Sequence, residues 1–369
     1  MIDPFKHFFP IGISYLLLGI LIWLPQIWNP GDYPVLVHRY LVINGFTASF
    51  IAGFLMTAIP KFSQTFEARK EEMSSFILIT LIGLFFAYIQ DERIVFLCST
   101  LQGIILLYFI FRRILQRKAN PPYTFVFIFV ALGLWITSGL MGIFSEDENI
   151  KILLYEGSIT SLILGVGSRL IPAILGHSDI VLKQRKRYEK PVSLFSTLPI
   201  PFLFIVVLFV LSYLLEDIYG NYIRASVVFI IGIFFWKLWQ WPKTRSALSI
   251  SLWFCSWLIV SSFFLKAFWT EAPIHALHSF FINGIVLLNF LIATRVIVSH
   301  TGQDKELENS KWLYFISGMI IFAAATRVTA YLMPDHYLSH LGYSSFILSI
   351  AIVTWSLKYL KFVFKIKIS

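Results

Sequence analysis

The stretch Ala272–Gln303 reads APIHALHSFFINGIVLLNFLIATRVIVSHTGQ. It has no charged residue between His278 and Arg295, yet it carries three of the chain's 8 histidines. At about 100° per residue, a helix would put His275, His278, Asn289 and His300 in one stripe. An apolar run of this length spans a bilayer. Ionisable groups within such a run are costly, so they face a bundle interior and mark function. This reading sets the fold class as all-α and membrane-embedded.

Composition agrees. The 369 residues are 57% hydrophobic and 14% charged, with 37 Phe, and mean hydropathy is +0.76. Soluble domains carry about a quarter charged residues. Twelve apolar runs are predicted, at roughly 8–28, 38–60, 74–90, 94–112, 123–144, 152–175, 196–215, 222–241, 246–266, 273–299, 312–333 and 340–360. The first run lacks a small-residue cleavage site and is expected to be retained. One polytopic domain over 1–369 is expected, with no separate soluble domain.

The formal net charge of +10 suggests topology rather than nucleic acid. Most Lys and Arg fall at the N-terminus, the C-terminus and the loops following even-numbered spans. The other loops hold Arg93, Lys151, Arg224 and Lys266. Both termini are therefore expected to be cytoplasmic. The loop Lys183-Gln184-Arg185-Lys186-Arg187 is one such signal, with anionic lipid a secondary reading. Lys358, Lys361, Lys365 and Lys367 are expected to snorkel. Cys98 and Cys255 sit in apolar runs and read as packing residues.

Arg39, Arg169, Arg295 and Arg327 lie within spans, whereas Glu156 is the clear acid there. Bonds to backbone carbonyls or a bound anion would satisfy the arginines. Spans two and six share S-x-x-x-G-x-x-x-x-x-I-P, at Ser49–Pro60 and Ser161–Pro172. Span ten runs the same way and carries Arg295 where span six carries Arg169. A pseudo-threefold repeat of four helices is expected.

His38 opens span two and would share a face with Gly45, Ser49, Ala52 and Met56. Small residues there admit a flat group or another helix. By the charge argument, His38, His275 and His278 lie toward the same outer side. Neutral imidazoles suit haem iron or copper. We read His38, with His275 or His278, as axial haem ligands. Headgroup-solvated histidines are the alternative. Arg39 and Arg327, also outer, would pair with haem propionates. His300 is about 37 Å from His275 along a straight helix, so it joins Arg169 and Arg295 in an inner structural polar layer. His336 and His340 read as loop residues. No phosphate loop, zinc-protease motif, Cys-x-x-Cys or nucleophile elbow occurs, and no catalytic residue is assigned.

Several motifs occur in order along the chain: Gly45-Phe46, Ile51–Pro60, Gly167-Ser168-Arg169-Leu170-Ile171-Pro172, His275-Ala276-Leu277, Thr294-Arg295-Val296, His300-Thr301-Gly302 and Arg327-Val328. Together they resemble the NnrS family. The resemblance implies a haem- and copper-containing protein of the bacterial cytoplasmic (inner) membrane. It also implies a role in nitric oxide or nitrosative stress, or denitrification, with nitric oxide or metal-nitrosyl species as partners. The family's H-x-H-E segment is here His38-Arg39-Tyr40-Leu41, which puts the copper site in doubt. Tyr40 reads as interfacial, or as a phenolate ligand. More distantly, the chain resembles haem-copper oxidase core subunits, whose second and tenth of twelve helices clamp a haem. Their copper ligands have no counterpart here. A rival reading is a secondary transporter of a small anionic solute, held by Arg169, Arg295 and Arg327.

Overall fold

The computed structural model describes residues 3–28, 33–145, 147–177, 193 and 197–364. Among these there is no strand. Ten helices are long and apolar enough to cross a membrane: α1 (Pro4–Leu21), α2 (Val35–Ser63), α3 (Lys70–Tyr88), α4 (Glu92–Leu115), α5 (Tyr123–Phe144), α6 (Glu148–Ile174), α9 (Ala247–Phe268), α10 (Pro273–Thr301), α11 (Lys311–Leu332) and α12 (Pro334–Phe362). Two shorter apolar helices, α7 (Ile200–Leu214) and α8 (Ile218–Phe234), fall on the seventh and eighth expected runs. The basic loop Lys183–Arg187, Lys365 and Lys367 lie outside the described residues.

The helix limits follow local chemistry. Asp91 accepts from the Ile94 amide at the start of α4, and the Ser246 hydroxyl accepts from the Ser249 amide at the start of α9. Pro273 occupies the first turn of α10, and Gly302, at φ +68°, ends it. α8 stops at Phe234, short of the expected 241. Lys237 adopts φ +60° and Pro242 follows, so the aromatic segment after Phe234 turns instead of extending the helix.

Two compact units divide the chain. The first contains the described parts of Met1–Leu16, Pro34–Pro172 and Ser178–Leu215. The second contains those of Leu17–Tyr33, Ala173–His177 and Glu216–Ser369.

In the first unit, α1 and α2 meet at glycines. A Cβ on Gly45 would lie 2.5 Å from the Tyr15 ring, and one on Gly53 would lie 2.8 Å from Phe8 Cβ. The small-residue face of α2 thus receives a helix. α4 and α5 interlock likewise, with Gly139 against Thr100, Gly142 against Phe96, and Trp135 Nε1 donating to Ser99 Oγ. Outward faces stay apolar. Leu78, Leu81 and Phe85 of α3 are all exposed, as a lipid solvent permits.

In the second unit, Trp355 of α12 donates to Thr294 Oγ1 of α10 at 2.9 Å and stacks on Phe290 at 4.9 Å. The Ser262 and Ser279 hydroxyls link α9 to α10 at 2.9 Å. Cys255 is buried and reduced, as is Cys98 in the first unit. Lys358 rests its ammonium 4.3 Å from the Trp312 ring centre.

Helices α2, α6 and α10 stand apart from the rest. In each, 78% of the most apolar stretch is buried, against 33% in α3. Each also contains a π-helical segment: Tyr40–Thr47, Leu153–Gly157 and Phe280–Val286. The described residues contain no other π segment. A π turn widens the helix and breaks the 100° step. The stripes expected across α2 and α10 therefore do not run through. In α10, His275 is buried while His278, Asn289 and His300 are half-buried, and Asn283 of the π segment is buried instead. The other two segments each bury a polar side chain too. Asn44 donates to Gln102 Oε1 at 3.1 Å, and Glu156 accepts from Tyr213 Oη at 3.3 Å.

Candidate functional site

His275 and Arg327 belong to the second unit, where they meet. His275 lies in the first turn of α10 and Arg327 near the C-terminal end of α11. Both are buried, at 5% and 9% exposure. Arg327 Nη1 lies 3.0 Å from His275 Nδ1. A guanidinium only donates, so Nδ1 accepts and the imidazole is neutral with its proton on Nε2. Tyr331 and Tyr337 flank the imidazole edgewise, at ring-centre distances of 5.4 and 6.0 Å. Trp269 packs on Tyr331 at 5.3 Å.

A cavity of about 580 Å³ opens beside His275. Its walls include Tyr33, His275, Tyr331, Asp335, Tyr337 and Ser339. Asp335 is exposed. The tyrosines and Asp335 were not singled out in the sequence, because residues from 33 to 339 converge here with no periodic pattern. The Pro334-Asp335 start of α12 was the available signal.

His278 lies one turn along α10 and differs in chemistry. Its Nδ1 is 2.7 Å from the Ile274 carbonyl oxygen. A carbonyl only accepts, so Nδ1 donates and Nε2 carries the lone pair. Metal-bound histidines commonly show this arrangement, with the distal N–H anchored on a carbonyl. His340 has the same polarity, its Nδ1 donating to the Thr326 carbonyl at 3.2 Å, and His336 is exposed. Among the described residues, no three His, Cys, Asp or Glu side chains group to hold a metal.

His38 and Arg39 belong to the first unit. His38 is half-buried. Arg39 donates to Glu92 Oε1 at 2.6 Å and faces the Tyr155 ring at 5.7 Å. Lys151 joins at 3.4 Å from Glu92 and 2.7 Å from Glu148. The ends of α2, α4 and α6 are thus tied by carboxylates that flank the apolar runs. Tyr40 is fully buried and donates its hydroxyl to the Thr80 carbonyl at 2.8 Å. It is neither interfacial nor placed as a phenolate, because its oxygen already serves as a donor to α3. Leu41 is buried beside it.

The remaining expected residues separate between the units. Arg295 binds Glu308, from the segment after α10, at 2.5 Å, and His300 is half-buried in the last turn of α10. Arg169 is half-buried in α6 of the first unit. Glu72 and Arg113 were not anticipated. Fully buried Arg113 donates to both Glu72 oxygens, at 2.7 and 2.8 Å. Glu72 also accepts from the Arg69 amide at the start of α3. Their position at the ends of apolar runs had marked them as loop charges.

A chain of apolar helices, deeply buried at three π-containing members and pairing arginines at helix ends, defines a multi-pass helical membrane protein. The NnrS family profile, described as NnrS protein, matches residues 2–367. The chain belongs to the NnrS family. No curated protein matches it.

Proposed function

We propose that this chain is a haem-binding membrane protein of NnrS type, acting in nitric oxide or nitrosative-stress response or in denitrification. The observation that carries the reading is the family match over residues 2–367. The imidazole chemistry supports it. His278 has its Nε2 lone pair set by the Nδ1 donation to a carbonyl, so it is a residue that would hold a haem iron. His275 accepts from Arg327 at Nδ1, so ligation through Nε2 requires that contact to open. His38 is the ligand candidate of the first unit. Haem held by such a histidine would supply the iron chemistry for a diatomic ligand such as nitric oxide.

Copper fits less well. The residue at the family's second histidine is Tyr40, and its hydroxyl is engaged by the Thr80 carbonyl. We assign copper no role here. The anion-transporter reading loses Arg295, whose charge Glu308 already neutralises.

We further propose that both termini face the cytoplasm, in a bacterial inner membrane, as the Lys and Arg distribution favours. A pseudo-threefold repeat has support from the π segments. Aligning Ser49 with Ser161 lays Leu153–Gly157 within Tyr40–Thr47, and aligning Arg169 with Arg295 overlaps Leu153–Gly157 with Phe280–Val286.

The test is an absorption spectrum of protein purified from haem-supplied cells. A Soret band that is weakened or shifted in His278→Ala and His38→Ala is expected. Well-folded protein lacking any Soret band would sink the proposal. Elemental analysis is expected to find no stoichiometric copper.

A further inference from the structure

In the first unit, the segment joining α2 to α3 lays Phe66 against the C-terminal end of α4. Three guanidiniums gather on its ring. Their carbons lie 4.4 Å (Arg113), 5.3 Å (Arg112) and 5.6 Å (Arg69) from the ring centre. Glu72 is the carboxylate among them. Fully buried Arg113 takes both of its oxygens, at 2.7 and 2.8 Å. Arg112 is left 3.9 Å from that carboxylate, beyond hydrogen-bond distance. Among the described residues, no carboxylate lies within 4 Å of Arg69, and neither Glu67 nor Glu71, both exposed, pairs with Arg69 or Arg112. Glu72 thus balances Arg113 and leaves two positive charges over.

These two charges are held in place yet open to a ligand. Arg69 is exposed and Arg112 half-buried. A guanidinium stacked on a ring gives its face to the π system and keeps its N–H edge for acceptors. Because both lie over Phe66, they are no farther apart than the sum of 5.3 and 5.6 Å. Arg112 also lies 5.5 Å from the Tyr108 ring centre. That tyrosine belongs to the outward face of α4, with Ile104, Phe111 and Leu115, all of them exposed. Their spacing of four, three and four places them in one stripe along the helix. In a membrane-spanning helix such a face meets acyl chains. The stripe ends where the two arginines begin.

We infer that this corner binds an anionic phospholipid, with its phosphate at Arg69 and Arg112 and an acyl chain along Ile104–Leu115. A phosphodiester spreads its negative charge over two oxygens, which suit the forked donors of arginine. Basic groups at the end of a membrane helix attract acidic headgroups. A zwitterionic headgroup gains less, because its own ammonium cancels the attraction. The apolar stripe selects a lipid over a free phosphate or an acidic peptide, since neither would cover it. None of the candidate haem residues takes part, so this site and the haem reading stand or fall separately.

The experiment is native mass spectrometry of detergent-purified, full-length protein, titrated with dioleoyl-phosphatidylglycerol or dioleoyl-phosphatidylcholine. Tighter binding of phosphatidylglycerol is expected, by about fivefold for each arginine engaged. Arg69→Gln is expected to weaken it about fivefold. Arg69→Gln with Arg112→Gln is expected to abolish the preference while leaving phosphatidylcholine binding unchanged. Lys358→Gln with Lys361→Gln removes the same charge at the end of α12 and is expected to keep the preference intact. Equal binding of the two phospholipids by wild type would overturn the inference. So would equal losses in the two double variants, since the preference would then follow overall charge. Arg69 is exposed, so Arg69→Gln alone decides if the double variant fails to fold: unchanged phosphatidylglycerol affinity overturns the site. A further arm adds sn-glycerol 3-phosphate or hexaglutamate at the concentration of the lipid. Neither is expected to displace phosphatidylglycerol. Displacement by the first would assign the corner to a free phosphate, and by the second to an acidic protein segment, and either result overturns the lipid site.

Discussion

Helix α10 meets an arginine pair at each end, and the two pairs are built differently. At its C-terminal end, Arg295 faces Glu308. At its N-terminal end, His275 faces Arg327. The first pair is closed, because opposite charges satisfy each other and nothing more is needed. The second leaves a positive charge in a poorly solvated place, beside a cavity. A matched arginine acts as a staple between segments, whereas Arg327 instead holds the neutral His275 ring. The same rule covers Arg39 and Arg113 in the first unit, which both have carboxylate partners.

Breaking a closed pair should have the largest effect. Glu72→Ala leaves fully buried Arg113 without its counter-charge and is expected to destabilise by about 3 kcal/mol, read as a lower thermal midpoint in detergent. Next come the two histidines of the N-terminal end. His278→Ala is expected to lower haem affinity at least tenfold, about 1.4 kcal/mol, and His275→Ala less, because its Nδ1 is already held by Arg327. Equal losses in a haem titration would erase the distinction between them. Glu308→Gln should cost about 1 kcal/mol or less, since Arg295 is 39% exposed and solvent screens the pair. Smallest of all, Arg327→Gln should leave the unfolding midpoint within about 0.5 kcal/mol of wild type. A lost hydrogen bond is then offset by relief of a buried charge. A large loss there would mean that Arg327 is a staple after all.

The helices were legible because hydrophobic length is a local property. Among the described residues, twelve apolar helices correspond to the twelve apolar runs, and even the short third run lies on Lys70–Tyr88. The tail of the eighth run misled because its Trp and Leu residues are apolar without being helical there. Side-chain direction was less legible. A constant 100° step carries a face through a helix only if every turn is α, and α2 and α10 each contain a π segment. Charge pairing was hidden for another reason. Glu92 and Glu308 flank the apolar runs, so Glu156 seemed the sole acid available to the arginines. His275 and Arg327 were both picked out as site residues, but their contact depends on the approach of α10 to α11, which no local pattern encodes.

The π segment of α10 has a mechanical consequence. It lies between the His275 end and the Thr294–Trp355 contact. It therefore works as a spline joint, setting the angular position of the upper half of the shaft independently of the lower. Removing one residue from Phe280–Val286 would swing His275 and His278 by about 100° while the lower half kept its seat against α12. The placement of the two histidines and the core packing are thus separately adjustable within one continuous helix.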